Sequence, residues 1–293
     1  MNAWFSKTIR IFSWTCGVAF TSVILFFIGY LLYRGAGSLS LELIFGETGV
    51  LDAVLLRRQV LGGLFPAIVG TIILVLLSVG IAVPVGVAAG IHMAEYARGR
   101  WKEALGFFFD ILAAVPSIVI GLFGFSLSLY LHQTFFPKLY PSLIISGLSL
   151  AVLVLPYIIR STQYALESVP ASTRIIATAL GASRLQNILY VLIPQASSGI
   201  MGGIVLAIGR CAEDTAVIML TGAVAFAGVS RSLFSGYEAL PFYIYYISSQ
   251  YADPAELATG YTASLILLAI CAVFFAISFI IQKGVEYRTL YGP

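Results

Sequence analysis

The sequence predicts an all-α integral membrane protein with six transmembrane helices, and three observations carry that prediction. Of the 293 residues, 60% are hydrophobic and only 10% are charged, whereas a soluble domain carries about 25% charged residues. Six apolar stretches reach the length of about 20 residues that a helix needs to cross a bilayer. Proline and glycine recur inside them, as they do in membrane helices, where neighbouring groups satisfy the freed backbone. Together these exclude a soluble enzyme, a disordered chain and a secreted disulfide scaffold. The net charge of +3 comes from scattered basic residues, not the clustered patch of a nucleic-acid binder.

The first stretch, residues 11–33, follows Lys7 and Arg10. It is too long for a signal peptide's apolar region and no small-residue cleavage site follows, so it reads as a retained helix. The second, 66–91, contains Pro84, and the third, 107–131, contains Pro116. The fourth, 143–159, has Pro156 near its end. The fifth, 194–221, opens on Pro194, whose missing N–H costs little at a helix start. The sixth is 259–281. Six spans put both termini on one side. With the termini inside, ten Lys and Arg residues fall on inner segments, among them Arg98, Arg100, Lys102, Arg174 and Arg184. Five fall outside: Arg34, Arg57, Arg58, Lys138 and Arg231. The excess of basic residues sets the termini in the cytoplasm.

Loops 34–65 and 223–258 then face outward, and loop 160–193 faces inward. The inner loop holds Ser168-Val169-Pro170 and an apolar-periodic stretch over 175–188. It reads as two short amphipathic helices with a turn at Gly181-Ala182-Ser183. Gly181 suits the left-handed conformation that ends one helix and lets the next begin at an angle. Such a loop serves either as an ordinary interfacial element or as a dock for a cytoplasmic partner.

The fifth span carries Gly209-Arg210-Cys211-Ala212-Glu213-Asp214-Thr215. A charge at the centre of a membrane helix costs upwards of about 2.5 kcal/mol, so these side chains should face the bundle interior or a water-filled cavity. Arg210 and Asp214 are four apart and share a helix face, with Glu213 within reach at i+3. Two readings follow. One is a salt bridge that locks helices together. The other is an anion pathway, in which the planar guanidinium of Arg210 suits an oxyanion and Asp214 balances its charge when the path is empty. A carboxylate only accepts hydrogen bonds. Near neutral pH inorganic phosphate keeps a protonated oxygen that can donate to Asp214, and sulfate keeps none. The pair would therefore favour phosphate over sulfate.

Two sets of motifs carry a family resemblance. The inner loop reads Pro170-Ala-Ser-Thr-Arg-Ile-Ile-Ala-Thr-Ala-Leu-Gly181-Ala-Ser183, followed by Ile193-Pro194. It resembles the EAA loop of ABC-importer permeases, with Ile175, Ile176 and Ala177 standing at the Glu-Ala-Ala positions. Further matches are Gly70-Thr71, Glu95-Tyr96-Ala97, Val115-Pro116-Ser117-Ile118-Val119, Gly121-Leu122-Phe123-Gly124 and Leu155-Pro156-Tyr157-Ile158-Ile159-Arg160. In this order, over about residues 60–282, they resemble the PstA/PstC family of phosphate ABC-transporter permeases, in particular the A-type subunit. The family's fifth-span signature is Gly-Arg-x-x-Gly-Glu-Thr. Arg210 and Thr215 match it, Asp214 takes the Glu position and Glu213 the Gly position.

The resemblance implies a type I ABC-importer (MetI-like) fold with a cytoplasmic coupling helix. Residues 1–60 would form the first helix and outer loop, and 61–293 the permease domain with its coupling loop at about 170–193. It implies a bacterial or archaeal plasma-membrane protein, a second, C-type permease subunit, a cytoplasmic ATPase dimer and an extracytoplasmic phosphate-binding protein. Arg210, Glu213, Asp214 and Thr215 would line the substrate path. Ala177, Leu180, Gly181, Ala182 and Ser183 would couple to the ATPase. No Gly-Lys dipeptide occurs in the chain, so it has no phosphate-binding P-loop; no cofactor is expected in it, and ATP and Mg would sit in the partner.

Several residues keep two readings. Thr71, Ser117 and Thr215 bond an anion or, as such residues more often do, a neighbouring helix. Asp110 caps a helix or pairs with Arg98 or Arg100. Gly121 and Gly124 allow close helix packing. Arg57 and Arg58 attract anions or form a solvated pair. The aromatics of 242–246, with Tyr237 and Tyr251, form an interface belt or a docking surface. Cys16, Cys211 and Cys271 read as packing residues, and His92 and His132 have no ligand cluster around them. Two other functions stay open: a secondary anion transporter relaying protons through Glu213 or Asp214, although no inverted repeat is evident, and an intramembrane hydrolase, although no nucleophile constellation accompanies the two acids.

Overall fold

Thirteen α-helices, two π-helical turns and one 3-10 turn account for nearly all of the residues described by a computed structural model, namely 3–57, 59–60, 62–137 and 139–291. Arg58 and Lys138, two of the five outer basic residues, lie outside the described residues. The first helix, α1 (Ala3–Gly35), leads into an outer segment with α2 (Leu41–Phe45) and α3 (Val50–Val54). Ser40 starts α2 by accepting the Leu43 N–H at 3.1 Å. Next come α4 (Phe65–Ile91), which runs into a π-helical turn at His92–Tyr96, then α5 (Gly99–Ala114), α6 (Ser117–Thr134) and α7 (Leu143–Glu167). The loop 160–193 forms α8 (Ala171–Ala179) and α9 (Arg184–Asn187), and a π-helical turn at Ile188–Leu192 leads into α10 (Ile193–Glu213). The chain ends with α11 (Thr215–Thr221), α12 (Leu240–Gln250) and α13 (Pro254–Tyr291).

Six helical segments are long and apolar enough to cross a membrane: Phe5–Ser38, Phe65–Tyr96, Ser117–Thr134, Leu143–Glu167, Arg184–Glu213 and Pro254–Gly284. They match the six expected spans, with two corrections. The third span does not begin at 107. Val115 is extended at φ −66°, ψ 127°, the conformation that the residue before a proline prefers. Pro116 thus splits the stretch, and residues 107–114 belong to α5. The remaining 18-residue α6 is about 27 Å long, enough for the hydrocarbon core. The fifth span also stops early. Asp214 leaves helical geometry at φ −77°, ψ 103°, and 215–221 form the separate helix α11. Pro84 and Pro156, by contrast, lie inside continuous helices.

The core is the α4–α7 pair. Two thirds of the α7 span (67%) is buried, against none (0%) of the α1 span. Gly86 and Gly90 let the two backbones approach. A Cβ at Gly86 would lie 2.7 Å from Ile158, and one at Gly90 2.5 Å from Thr162. Small residues four apart are the usual device for close packing in membranes, where burial itself gives helices no drive to associate. On the periphery α1 rests against α13. A Cβ at Gly35 would sit 2.7 Å from Leu265, Thr262 donates to the Gly35 carbonyl at 2.8 Å, and the Tyr30 and Tyr261 rings meet edge-on at 5.8 Å.

Segment 223–258, expected as an outward-facing loop, is not a surface loop. Tyr237, Ala239 and Leu240 are fully buried, and the Glu238 carbonyl lies directly against Gly70, where any Cβ would collide with it. Thr71 accepts the Leu240 N–H at 2.8 Å and donates to Ala67 at 2.7 Å, so its role is between helices. Tyr237 therefore leaves the aromatic stripe and joins the core, while Tyr245 and Tyr251 stay half exposed.

Glu238 is buried and accepts the Gly228 N–H at 2.7 Å. Burial raises its carboxyl above the usual glutamate range, against the opposing pull of the Gly228 and Ala227 N–H groups. The folded chain then holds this proton more tightly than the unfolded chain. The stability this gives is fully present below the ordinary glutamate value and lost as pH rises through the raised one. Glu238→Gln keeps an acceptor for Gly228 and cannot titrate. Thermal unfolding in detergent, followed from mildly acidic to neutral pH, should show the wild type losing stability relative to the variant as pH rises.

Candidate anion path and coupling hairpin

The break between α10 and α11 organises the first site. Asp214 caps α11: its Oδ1 accepts the Val217 N–H at 2.9 Å, the interaction that makes aspartate a favoured N-cap. Gly121 brings α6 against this half-helix, where a Cβ would meet the Ala216 carbonyl and the Val217 backbone at 3.1 Å. Thr221 pins the other end by donating to Ser146 of α7 at 2.8 Å. Gly121 and Gly124 thus serve packing.

Arg210 sits about 24 Å along the helix axis from Pro194, at about 1.5 Å per residue. Its Nη1 donates to Glu213 Oε1 at 2.9 Å, and its Nη2 lies 3.6 Å from Asp214 Oδ2. The second distance is an ion pair without a hydrogen bond. Both acids share the arginine, as their spacing predicted, but the short contact is to Glu213. Their exposures differ widely: the Glu213 side chain is 63% exposed, Arg210 35% and Asp214 3%. Glu213 is therefore the counter-ion free to move, and Asp214 is the fixed one. Arg210 Nε is buried and bonds to no other described residue, so the guanidinium retains donor capacity. Thr215 opens α11 half-buried, directly after the fixed acid.

The second site is the hairpin of α8 and α9. Gly181 adopts φ +85°, a left-handed conformation that costs glycine little. The Gly181 and Ala182 N–H groups close α8 on Thr178 and Ala177 at 3.1 and 3.0 Å. Ser183 then starts α9 with a capping box, its hydroxyl accepting the Gln186 N–H and the Gln186 side chain accepting the Ser183 N–H. Leu180, Gly181 and Ser183 are exposed, and Ala177 and Ala182 are half-buried. Ile175, Ile176 and Leu180, 62%, 59% and 84% exposed, form an apolar face left uncovered among the described residues.

Three ion pairs were not evident from the sequence, and one of them joins Lys102 of α5 to Glu167 of α7 at 2.7 Å. Asp110 pairs neither with Arg98 nor with Arg100; it meets Arg160 at 2.6 Å. Arg160 also donates to the Gly106 carbonyl at 2.6 Å and to Gln163 at 2.9 Å, tying α5 to α7. Arg160, Gln163 and Glu167 are spaced for one face of α7, which was the available signal; their partners on α5 had none. Arg174 of α8 pairs with Glu95 at 2.6 Å.

A helical bundle with broken third and fifth spans, an arginine–carboxylate cluster at the second break and an exposed helical hairpin before the fifth span defines a membrane permease of the ABC-importer class. Residues 82–289 match the family described as the binding-protein-dependent transport system inner membrane component. The phosphate transport system permease protein PstA of Haemophilus influenzae is 32% identical over 272 residues, covering 92% of this chain and 88% of that protein. PstA of Pasteurella multocida is 30% identical over 273 residues, covering 92% and 89%. The permease PstC 1 of Mycobacterium tuberculosis is 34% identical over a shorter 201 residues. In fold, a chain of the MetNI methionine ABC transporter, solved facing inward, superposes with a TM-score of 0.56 at 18% identity, covering 81% of this chain and 99% of that one. The chain therefore belongs to the family of binding-protein-dependent transport system inner membrane components, among relatives of the PstA type.

Proposed function

We propose that this chain is a permease subunit of an ATP-driven phosphate importer and forms half of its anion path by alternating access. The reading rests on Arg210, the doubly countered guanidinium at the α10–α11 break, in a chain whose near-full-length relatives include phosphate permeases. An arriving phosphate displaces the exposed Glu213, takes its place on Nη1 and donates a P–O–H hydrogen bond to Asp214 Oδ2, which accepts it beside Arg210. Thr215 offers a further hydroxyl. The contact is transient, because the anion must leave on the other side.

Residues 61–293 form the permease domain, to which 1–60 add a peripheral helix. Residues 170–193 dock on a cytoplasmic ATPase dimer that holds ATP and Mg. Leu180 and Ile176 fill its groove, and 177 with 181–183 set the angle of approach. A second, C-type permease completes the path, and an extracytoplasmic binding protein delivers phosphate. The chain lies in the plasma membrane with both termini in the cytoplasm.

The test is ATP hydrolysis by this chain co-purified with its ATPase, second permease and binding protein, without anion, with phosphate and with sulfate. Stimulation by phosphate alone is expected. Stimulation by sulfate alone would move the specificity, and an assembled complex with no anion response would remove the coupled mechanism.

A further inference from the structure

Glu95 and Tyr96 close the π-helical turn at the inner end of α4, and each holds a different limb of the coupling hairpin. Glu95 Oε1 accepts from Arg174 Nη1 of α8 at 2.6 Å, with the two side chains only 11% and 27% exposed. The Arg184 guanidinium at the start of α9 lies 4.5 Å over the Tyr96 ring, within the range of a cation–π contact.

Arg174 does more than pair. Its Nε donates to the Val169 carbonyl at 3.1 Å and its Nη2 to the Leu166 carbonyl, at the C-terminal end of α7, where helix carbonyls lack intrahelical partners. Asn187, buried, donates to the Arg174 carbonyl at 3.0 Å and so folds α9 back on α8. One arginine therefore joins the hairpin to the inner ends of α4 and α7. Those two helices are the core pair, locked at Gly86 and Gly90. Along the backbone the hairpin continues only into α10 on one side and into α7 on the other. Polar contacts at Arg174 and Arg184 connect its two short helices to the end of α4, beside the apolar cluster in which Val87 and Ile91 of α4 pack with Ile188 and Leu192.

We propose that the Glu95–Arg174 pair is the joint through which displacement of the coupling hairpin reaches the α4–α7 core, with Arg174 as the positioning residue. This rests on the importer reading above. A partly buried ion pair suits the task, because losing one partner strands the other charge and the three elements then cease to move as one body.

The experiment uses the complete reconstituted transporter and measures phosphate taken up per ATP hydrolysed. Three versions are compared: wild type, Glu95→Gln and the exchanged pair Glu95→Arg/Arg174→Glu. In Glu95→Gln the ratio should fall about tenfold, a change within the usual range of coupling between sites. The exchanged pair should regain at least half of it. A ratio in Glu95→Gln within twofold of wild type overturns the joint. So does an exchanged pair that assembles without regaining the ratio. Should Glu95→Gln fail to assemble, the exchanged pair decides: recovery of assembly and ratio together supports the joint, and recovery of neither overturns it. Wild-type protein that hydrolyses ATP without importing phosphate overturns the importer reading and the joint with it, whereas normal wild-type uptake with unchanged variants overturns the joint alone.

Discussion

Arg210→Ala is expected to lower phosphate uptake by about 10²-fold or more while leaving an assembled complex. Alanine removes the guanidinium and leaves two carboxylates facing the path. Asp214 is the more costly of the two because its side chain is only 3% exposed, and stranding a buried charge is worth about 3–5 kcal/mol. The local fold survives because Asp214 keeps its bond to the Val217 N–H. Arg210→Lys separates charge from shape. It restores a cation but not the planar two-toothed fork, so uptake should recover only partly. Radiolabelled phosphate uptake into proteoliposomes, alongside the yield of co-purified ATPase, measures both. Uptake near the wild-type level in Arg210→Ala would remove Arg210 from the path.

Asp214→Asn should do something different: preserve the fold and lose the ability to tell phosphate from sulfate. Asparagine is as good an N-cap as aspartate, so α11 still begins at Thr215. The atom that changes character is the one now 3.6 Å from Arg210. As a carboxylate oxygen it accepts the proton that phosphate carries. As an amide nitrogen it donates and meets that proton head-on, while sulfate, which carries none, becomes acceptable. A hydrogen bond to a charged group is worth about 1.5–3 kcal/mol, so the ratio of phosphate to sulfate uptake should fall by about 10- to 100-fold. Asp214→Ala is the control. It loses the cap as well, at about 1 kcal/mol, and should lower thermal stability where Asp214→Asn does not. Unchanged discrimination in Asp214→Asn would show that selection lies elsewhere.

Six spans were legible because bulk hydropathy and length decide membrane crossing, and no tertiary detail is needed for that. The two breaks were not equally legible. Nothing local separates Pro116 from Pro84 and Pro156. The difference is that α4 and α7 pack closely against each other and hold a proline in line, while α5 is fastened to α7 through polar side chains, Arg160 to Asp110 and Gly106 and Lys102 to Glu167. Asp214 carried a usable signal. An aspartate followed by Thr215 and an apolar run is a helix start, but the i,i+4 relation to Arg210 reads as continuous helix, and that reading prevailed. The hairpin turn at Gly181 was legible because a left-handed glycine is a local requirement. The partners of Arg160 and Arg174, 50 and 79 residues away in sequence, and the burial of Tyr237 were not, because each depends on which helices become neighbours.

The α1–α13 contact has a consequence for how the protein is made. Tyr30 and Tyr261 are 231 residues apart, and among the described residues α13 is the long helix on which α1 chiefly rests. A ribosome delivers α1 first and α13 last. Throughout synthesis α1 waits alone in lipid, its aromatic rings facing acyl chains, while the α4–α7 pair assembles without it. Docking of α13 is then the closing event of biogenesis. A nascent chain cut short of Tyr261 would carry an orphaned first helix, an open face on α10, where Phe275 otherwise packs on Gly209, and another beside Leu64, Ala67 and Leu240, which otherwise cluster with Ala263; membrane quality control can tell that state from the completed subunit.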